Sequence, residues 1–201
     1  MASLLGVTTL ILVRHGETDW NRTGRWQGHA DKPLNQTGRT QARRLADELA
    51  AEDVTAVYAS DLSRARETAE IVAARLGADV ELDPRLREVD VGSWSGLTTD
   101  EIRERAPAEI ARWHNGDPTH RFGSGETYTE MGERVVAALE EIAARHPDER
   151  IVVVLHGGPI RAVLAHAAGI TYEQQRHRRA HPDNCGYVRF AVRDGVFAGI
   201  D

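Results

Sequence analysis

Two short apolar runs, each stopping abruptly at a histidine followed by glycine, restrict the folds open to this chain. Thr9-Leu10-Ile11-Leu12-Val13 runs into Arg14-His15-Gly16-Glu17-Thr18, and Ile151-Val152-Val153-Val154-Leu155 runs into His156-Gly157-Gly158-Pro159. An unbroken apolar run of this length reads as a strand buried on both faces, the condition of a parallel sheet covered by helices. Glycine just beyond the run lets the chain turn sharply. In an open parallel sheet the carboxyl ends of the strands share one edge, and ligands bind in the crevice there. Arg14, His15 and His156 are therefore expected to meet in space.

The rest of the chain fills in that plan. A polar and aromatic loop (Trp20, Asn21, Arg22, Arg25, Trp26, Gln27, Gly28, Asp31) follows the first turn, and Trp20 reads as packing. Asn35 is a candidate N-cap for a helix with Ala42, Leu45, Ala46 and Leu49 on one face. Val54 to Ala59 reads as a strand, and Asp61 as the cap of the next helix, which carries Arg64 in its first turn and ends at Gly77. Asp79 to Leu82 offers a short strand, after which the pattern weakens. Thr98-x-x-Glu101 and Thr127-x-x-Glu130 are capping boxes, the second opening a helix with Met131, Val135, Leu139 and Ile142 in a stripe. Pro159 to His166 forms a helix stopped by Gly169. Gly186 to Val192 and Val196 to Ile200, around Asp194-Gly195, read as a hairpin. The expectation is a three-layer αβα fold of the α/β class. It has a mostly parallel central sheet with one antiparallel edge strand, one domain over residues 1–201, and an inserted lid at about 92–126. Arg112, His114, His120 and Arg121 in the lid are candidates for touching a ligand.

Composition removes several classes of partner. A net charge of -6 lacks the basic face that nucleic acid or a membrane surface requires. No apolar run approaches bilayer length, and the opening residues read as the lead-in to the first strand rather than a signal peptide. A lone cysteine, Cys185, fits a reducing, cytoplasmic setting and reads as a small buried residue. His29, His146, His166, His177 and His181 read as structural or solvated histidines. The last strand and the basic run Gln174 to Arg179 are the candidate contacts for a homodimer; the run reads most simply as a solvated helix face and is basic enough to sit near the site.

Gathered at one edge, Arg14, His15, Arg64 and His156 make a site of two guanidinium forks and two imidazoles without a thiol. Neighbouring cations favour the neutral form of an imidazole, which leaves His15 a free lone pair and makes it a nucleophile. The same cations would hold a phosphate dianion, and phosphoryl transfer depends on positioning and on positive groups around three equatorial oxygens. Arg64 has a plainer reading as a surface partner of Asp61 or Glu67. The leaving alkoxide needs an acid, for which Glu88 and Glu17 compete. No H-E-x-x-H pair or aspartate-rich cluster has ligand spacing for a metal.

The motifs, taken together, resemble those of the histidine phosphatase superfamily, also called phosphoglycerate mutase-like proteins. They are R-H-G-E-T at Arg14 to Thr18, N-R-T-G-R-W-Q-G-H-A-D-K-P-L-N at Asn21 to Asn35 and S-D-L-S-R-A-R-E-T-A at Ser60 to Ala69, then L-R-E-V-D-V-G-S-W-S-G at Leu86 to Gly96, G-E-T at Gly125 to Thr127 and L-H-G-G at Leu155 to Gly158. The resemblance implies a phosphohistidine on His15, with Arg14, Arg64 and His156 as the other catalytic groups on the phosphoryl oxygens and Glu88 as proton donor. It further implies that Asn21, Gln27, Gly28 and Gly157 line the phosphate pocket, and that neither metal nor organic cofactor is needed. Its partner would be a small phosphorylated metabolite. Glu17-Thr18, a lid without adjacent arginines and L-R-E-V-D-V-G resemble the phosphatase branch more than the mutases. The alternatives are a mutase-type phosphoryl transfer and an inactive member that binds a phosphorylated ligand or a protein.

Overall fold

The structure is a computed structural model that describes residues 6–178 and 181–200, without the side chains of Arg176 and His177. In chain order its elements are β1 (Thr8–Arg14), α1 (Asp19–Arg22), α2 (Gln36–Leu49), β2 (Val54–Ala59), α3 (Ser63–Leu76), β3 (Val80–Leu82), α4 (Thr99–Arg105), α5 (Pro107–His114), α6 (Tyr128–Arg145), β4 (Arg150–Leu155), α7 (Gly157–Ala167), α8 (Tyr172–Arg178), β5 (Tyr187–Arg193) and β6 (Val196–Ile200). Single 3-10 turns occupy Pro84–Leu86 and Gly92–Trp94.

The two apolar runs pair with each other as parallel neighbours, Leu10 opposite Ile151 and Val13 opposite Val154, in a six-stranded sheet of order β3-β2-β4-β1-β5-β6. Side chains alternate across β1, and both faces are covered. Leu10 and Leu12 pack with Met131, Val135, Leu139 and Ile142 of α6, while Ile11 and Val13 pack with Leu45 and Leu49 of α2 and with Ala69 and Val72 of α3. Removing each large side chain of this set from water contributes roughly 1.5–3 kcal/mol. This is the expected αβα sandwich.

The antiparallel edge of the sheet is the expected hairpin: β5 pairs antiparallel with β1, and β6 pairs antiparallel with β5 outside it. Its turn lies at Asp194 and Gly195, both at positive φ, the geometry that joins adjacent antiparallel strands. Asp61 does not cap α3. Leu62 holds the N-cap position without a side-chain bond, and Asp61 instead accepts from Arg87 Nε at 2.7 Å. The loop after β1 contains a one-turn helix, α1, closed by a Thr18–Asn21 capping box. Trp20 is half-buried, its ring packed beside Gly96 of the 92–126 segment and Lys32 Nζ 4.5 Å from its centre.

The segment at 92–126 is built into the core rather than resting on it. Trp94, Ile102, Ile110 and Phe122 are buried and join the cluster that includes α6. Weak periodicity concealed this because the burial comes from aromatic edges (Trp26 against Trp94 at 5.5 Å, Trp94 against Phe122 at 5.2 Å) rather than from a long amphipathic stripe. The capping boxes at Thr98 and Thr127 and the left-handed Gly77 form as read. Among the described residues no helix is long and apolar enough to cross a membrane.

Candidate active site

At the carboxyl edge of the sheet, His15 N donates to Leu155 O (3.0 Å) and Ser60 N to Val154 O (3.0 Å), so the three parallel strands release their chains side by side. The edge holds a cavity of about 330 Å³ lined in part by Arg14, His15, Asn21, Gln27, Gly28, Arg64, Glu88 and Gly157. His156 packs behind it, with its ring centre 5.1 Å from that of His15.

The hydrogen bonds of His15 fix its tautomer. Nδ1 lies 2.7 Å from Gly16 O, which can only accept, so Nδ1 carries the proton. Nε2 receives Arg64 Nε at 3.3 Å and therefore carries the lone pair. Burial, then Arg64, then Arg14, lower the pKa of His15 well below the ordinary imidazole value, so the ring is neutral at neutral pH. His156 is likewise held neutral by burial and by Arg64. Its Nε2 meets Ser60 Oγ at 2.9 Å.

Arg64 is 1% exposed because α3 starts directly under the edge and the polar loop folds over it. Its Nη1 donates to Ala30 O (2.9 Å) and its Nη2 to Gly28 O (2.8 Å), and burial lowers its pKa to about 10. Gly28 itself sits at φ +51 with Val91 against the position a side chain would take. Its carbonyl is thereby committed to Arg64. Arg14 Nη1 is 3.2 Å from both His181 Nδ1 and Pro182 O. Among the described residues, Arg14 Nε, His156 Nδ1 and Arg161 Nε are buried at or beside the cavity without a hydrogen-bond partner.

Thr18 orients both amides. Its N–H donates to Asn21 Oδ1 (3.1 Å), and its hydroxyl lies 3.1 Å from Gln27 Oε1. With the oxygens so engaged, the NH₂ groups of Asn21 and Gln27 remain as donors at the cavity wall.

Glu88 stands at the N-terminus of α7, its Oε2 accepting from Gly158 N (3.1 Å) and its Oε1 from Val89 N (2.9 Å). A methyl group at Gly158 would fall 2.1 Å from Glu88 Oε1, so only glycine permits this approach. Glu17, the competing acid, accepts instead from Asn35 Nδ2 (2.7 Å) and does not line the cavity. None of the four basic residues proposed for the lid lines it either. Arg112 is bound to Asp117, Arg121 to Glu130, and His120 is buried between Trp94 and Phe122.

Trp113, Tyr128, Arg161, Tyr172 and His181 do line it, and none was selected from the sequence. Tyr128 and Tyr172 stack at 3.7 Å, and Arg161 Nη1 donates to Tyr172 OH at 3.0 Å. For His181 a signal existed. A strand antiparallel to β1 begins at the edge where β1 ends, so the residues preceding the predicted hairpin had to reach the site. The basic run at Gln174 to Arg179 lies partly outside the described residues, as does His177's side chain. Among the described residues no group of three or more His, Cys, Asp or Glu side chains is gathered closely enough to hold a metal ion.

The profile of a protein family described as the histidine phosphatase superfamily, branch 1, matches residues 10–199. The chain is 43% identical over 161 residues to phosphoglycerate mutase-like protein 4 of Arabidopsis thaliana, covering 79% of this chain and 70% of that one. It is 40% identical over 160 residues to a metal-independent phosphoserine phosphatase of the same plant, covering 78% and 67%. The solved structure of a mycobacterial glucosyl-3-phosphoglycerate phosphatase complexed with VO3 superposes with a TM-score of 0.85 at 30% identity, covering 95% of this chain and 96% of that one.

Proposed function

The chain belongs to the histidine phosphatase superfamily, and from that premise we propose that it hydrolyses a small phosphomonoester through a phosphohistidine on His15, without a metal. The observation that carries the reading is the locked tautomer: Nδ1–H is spent on Gly16 O, and Nε2 keeps its lone pair beside Arg64. Phosphatase-named relatives support hydrolysis, and one of them is named metal-independent.

In the first step His15 Nε2 forms a bond to phosphorus as the bond to the ester oxygen breaks, and the leaving oxygen takes the proton of Glu88 in its acid form. Arg14, Arg64, His156, Asn21 and Gln27 hold the three equatorial oxygens, which satisfies the unpartnered Arg14 Nε and His156 Nδ1. A water then attacks the phosphohistidine and returns its proton to Glu88, releasing phosphate and neutral His15. Arg161, with its buried unpartnered Nε, and the tyrosine pair suit an alcohol that carries an acid group of its own. The lone Cys185, whose thiol burial pushes up to about 12, is consistent with a cytoplasmic enzyme.

The reading is tested by inorganic phosphate release from a panel of phosphomonoesters, including phosphorylated hydroxy acids, with chelator present. Release is the expected result. Isomerised product without phosphate, dependent on a bisphosphorylated primer, would make the protein a mutase, and no turnover at all would make it a binding protein.

A second expectation concerns pH. Titrated by nitrogen NMR, His15 should remain neutral with a bare Nε2 as pH falls through 6.5, the ordinary imidazole value. Because His15 and His156 have lowered values in the folded state, the unfolded chain binds more protons below that pH. The stability they contribute is whole above 6.5 and lost as pH falls toward their folded values. An imidazole at position 15 titrating normally would remove it as the neutral nucleophile.

A further inference from the structure

The G-E-T motif touches neither the cavity nor the phosphate groups assigned above, yet it is joined to Glu88 through one side chain. Arg134, on the inner face of α6, places all five of its N–H donors. Nε and Nη2 grip the two oxygens of Glu126 (2.7 and 2.8 Å), Nη1 donates to Arg85 O and Arg87 O (2.8 Å each), and Nη2 also donates to Glu88 O (2.8 Å). Glu126 completes the frame, its Oε2 accepting from Asp90 N (3.0 Å) and its own N–H donating to Asp90 O (2.9 Å). Gly125 is required there, since a methyl group would lie 2.0 Å from Asp90 O. His29 Nε2 approaches the same Glu88 carbonyl at 2.9 Å from the polar loop. Residues 87–91 form neither helix nor strand between the turn at Pro84–Leu86 and that at Gly92–Trp94. Their backbone is held by these bonds together with the burial of Leu86, Val89 and Val91 in the core.

We propose that Arg134, oriented by Glu126, is a positioning residue that holds the Glu88 backbone so that its carboxyl group reaches the leaving oxygen. The proposal rests on the reading of Glu88 as the acid. Both members are only about one-fifth exposed, 20% and 22%, and a bidentate arginine–carboxylate pair in such a setting fixes direction as well as distance. A fork that bridges the carbonyls of Arg85, Arg87 and Glu88 cannot be copied by an ammonium group. Its loss frees the segment by an ångström or so, enough to misplace an acid without closing the phosphate site.

The test compares an alkyl phosphate, whose alkoxide must be protonated, with p-nitrophenyl phosphate, whose phenolate leaves without a proton. The rate compared is that of the phosphorylation step, read as first-turnover release of the alcohol or phenolate, because Glu88 also serves the dephosphorylation that both esters share. For Arg134→Lys this rate should fall on the order of 10²-fold on the alkyl ester, the cost of a small misplacement of a catalytic group. On the aryl ester it should be nearly unchanged, and so should the affinity for both. In a Glu88→Gln background the same substitution should cost nothing further on the alkyl ester, because two residues acting through one step are not additive. Equal losses on the two esters, or an undiminished loss in the Glu88→Gln background, would overturn the proposal. Circular dichroism checks folding, and if Arg134→Lys fails to fold, Glu126→Gln is read in the same way. Should Glu88→Gln itself show no preference between esters, the acid assignment and this proposal fall together. A selective Glu88→Gln beside an unselective Arg134→Lys overturns the positioning role alone.

Discussion

His15→Ala is expected to lower phosphate release by about 10⁴-fold or more, the scale on which removal of a catalytic nucleophile acts, while oxyanion binding survives. The two effects separate because the groups proposed to hold the oxyanion do not depend on the imidazole. Arg64 keeps its bonds to Gly28 O and Ala30 O, Asn21 and Gln27 keep theirs to Thr18, and Arg14 keeps Pro182 O. The side chain removed is 3% exposed, and what it leaves is a small gap bounded by Arg64 and His156 rather than a disrupted strand. Vanadate should therefore still raise the melting temperature of the mutant. Labelling the wild type with radioactive phosphoester should trap an adduct that is stable in alkali and lost in acid, as a phosphoramidate is. The same adduct on His15→Ala, or turnover near that of the wild type, would remove His15 from the reaction.

Arg64→Met should be the next most damaging change, lowering kcat/KM by about 10²–10³-fold, as when one preorganised donor to a developing charge is lost. Here kcat and KM should worsen together, since the guanidinium faces the phosphate in ground and transition states alike. A stability loss should accompany it. Gly28 O and Ala30 O lose their donors, at roughly 1–3 kcal/mol for each carbonyl left unsatisfied, offset in part because a buried cation has also gone. A urea midpoint lowered at unchanged slope is the expected signature. His15 should titrate at a higher pH in this variant, because Arg64 is, after burial, the largest cause of its depression. Lysine should not rescue, since one ammonium cannot serve Nε2 of His15 and two carbonyls at once. Unchanged kinetics would take Arg64 out of the site.

The fold and the inner site were legible because one physical rule covers both. Apolar runs closed by Arg14-His15-Gly16 and His156-Gly157-Gly158 can only be buried parallel strands, and parallel strands present their ends together. Asn21, Gln27, Gly28, Arg64 and Glu88 then follow from motif order, and all of them line the cavity. What escaped had no periodic signature. Trp113, Tyr128 and Tyr172 reach the cavity through aromatic packing between segments distant in sequence. Arg161 is a helical arginine like many others until α7 is seen to start at the edge. The grip of Arg134 on three carbonyls is a tertiary arrangement with no trace in local spacing. Capping boxes, which are purely local, were read correctly, whereas Asp61 was drawn away from its helix by Arg87, a partner from another element.

The place of β1 in the sheet bears on how the polypeptide becomes active during its synthesis. Within this sheet β1 is made before the other strands, yet its two neighbours are β4 and β5, which follow only after β2, β3 and the helices between. Both of its hydrogen-bonding edges stay open until residues near 150 and then 187 have left the ribosome. Long-range pairings of this kind are slow to close, and the nascent chain must shield an apolar strand meanwhile. The loop ahead of β5 supplies further bonds to the Arg14–His15 segment, Asn184 Nδ2 to His15 O and Cys185 N to Arg14 O, each 2.9 Å. The β5–β6 hairpin is thus the latch on the proposed site, and a chain that stalls or is clipped before it carries every residue proposed to hold phosphate without a place to assemble them.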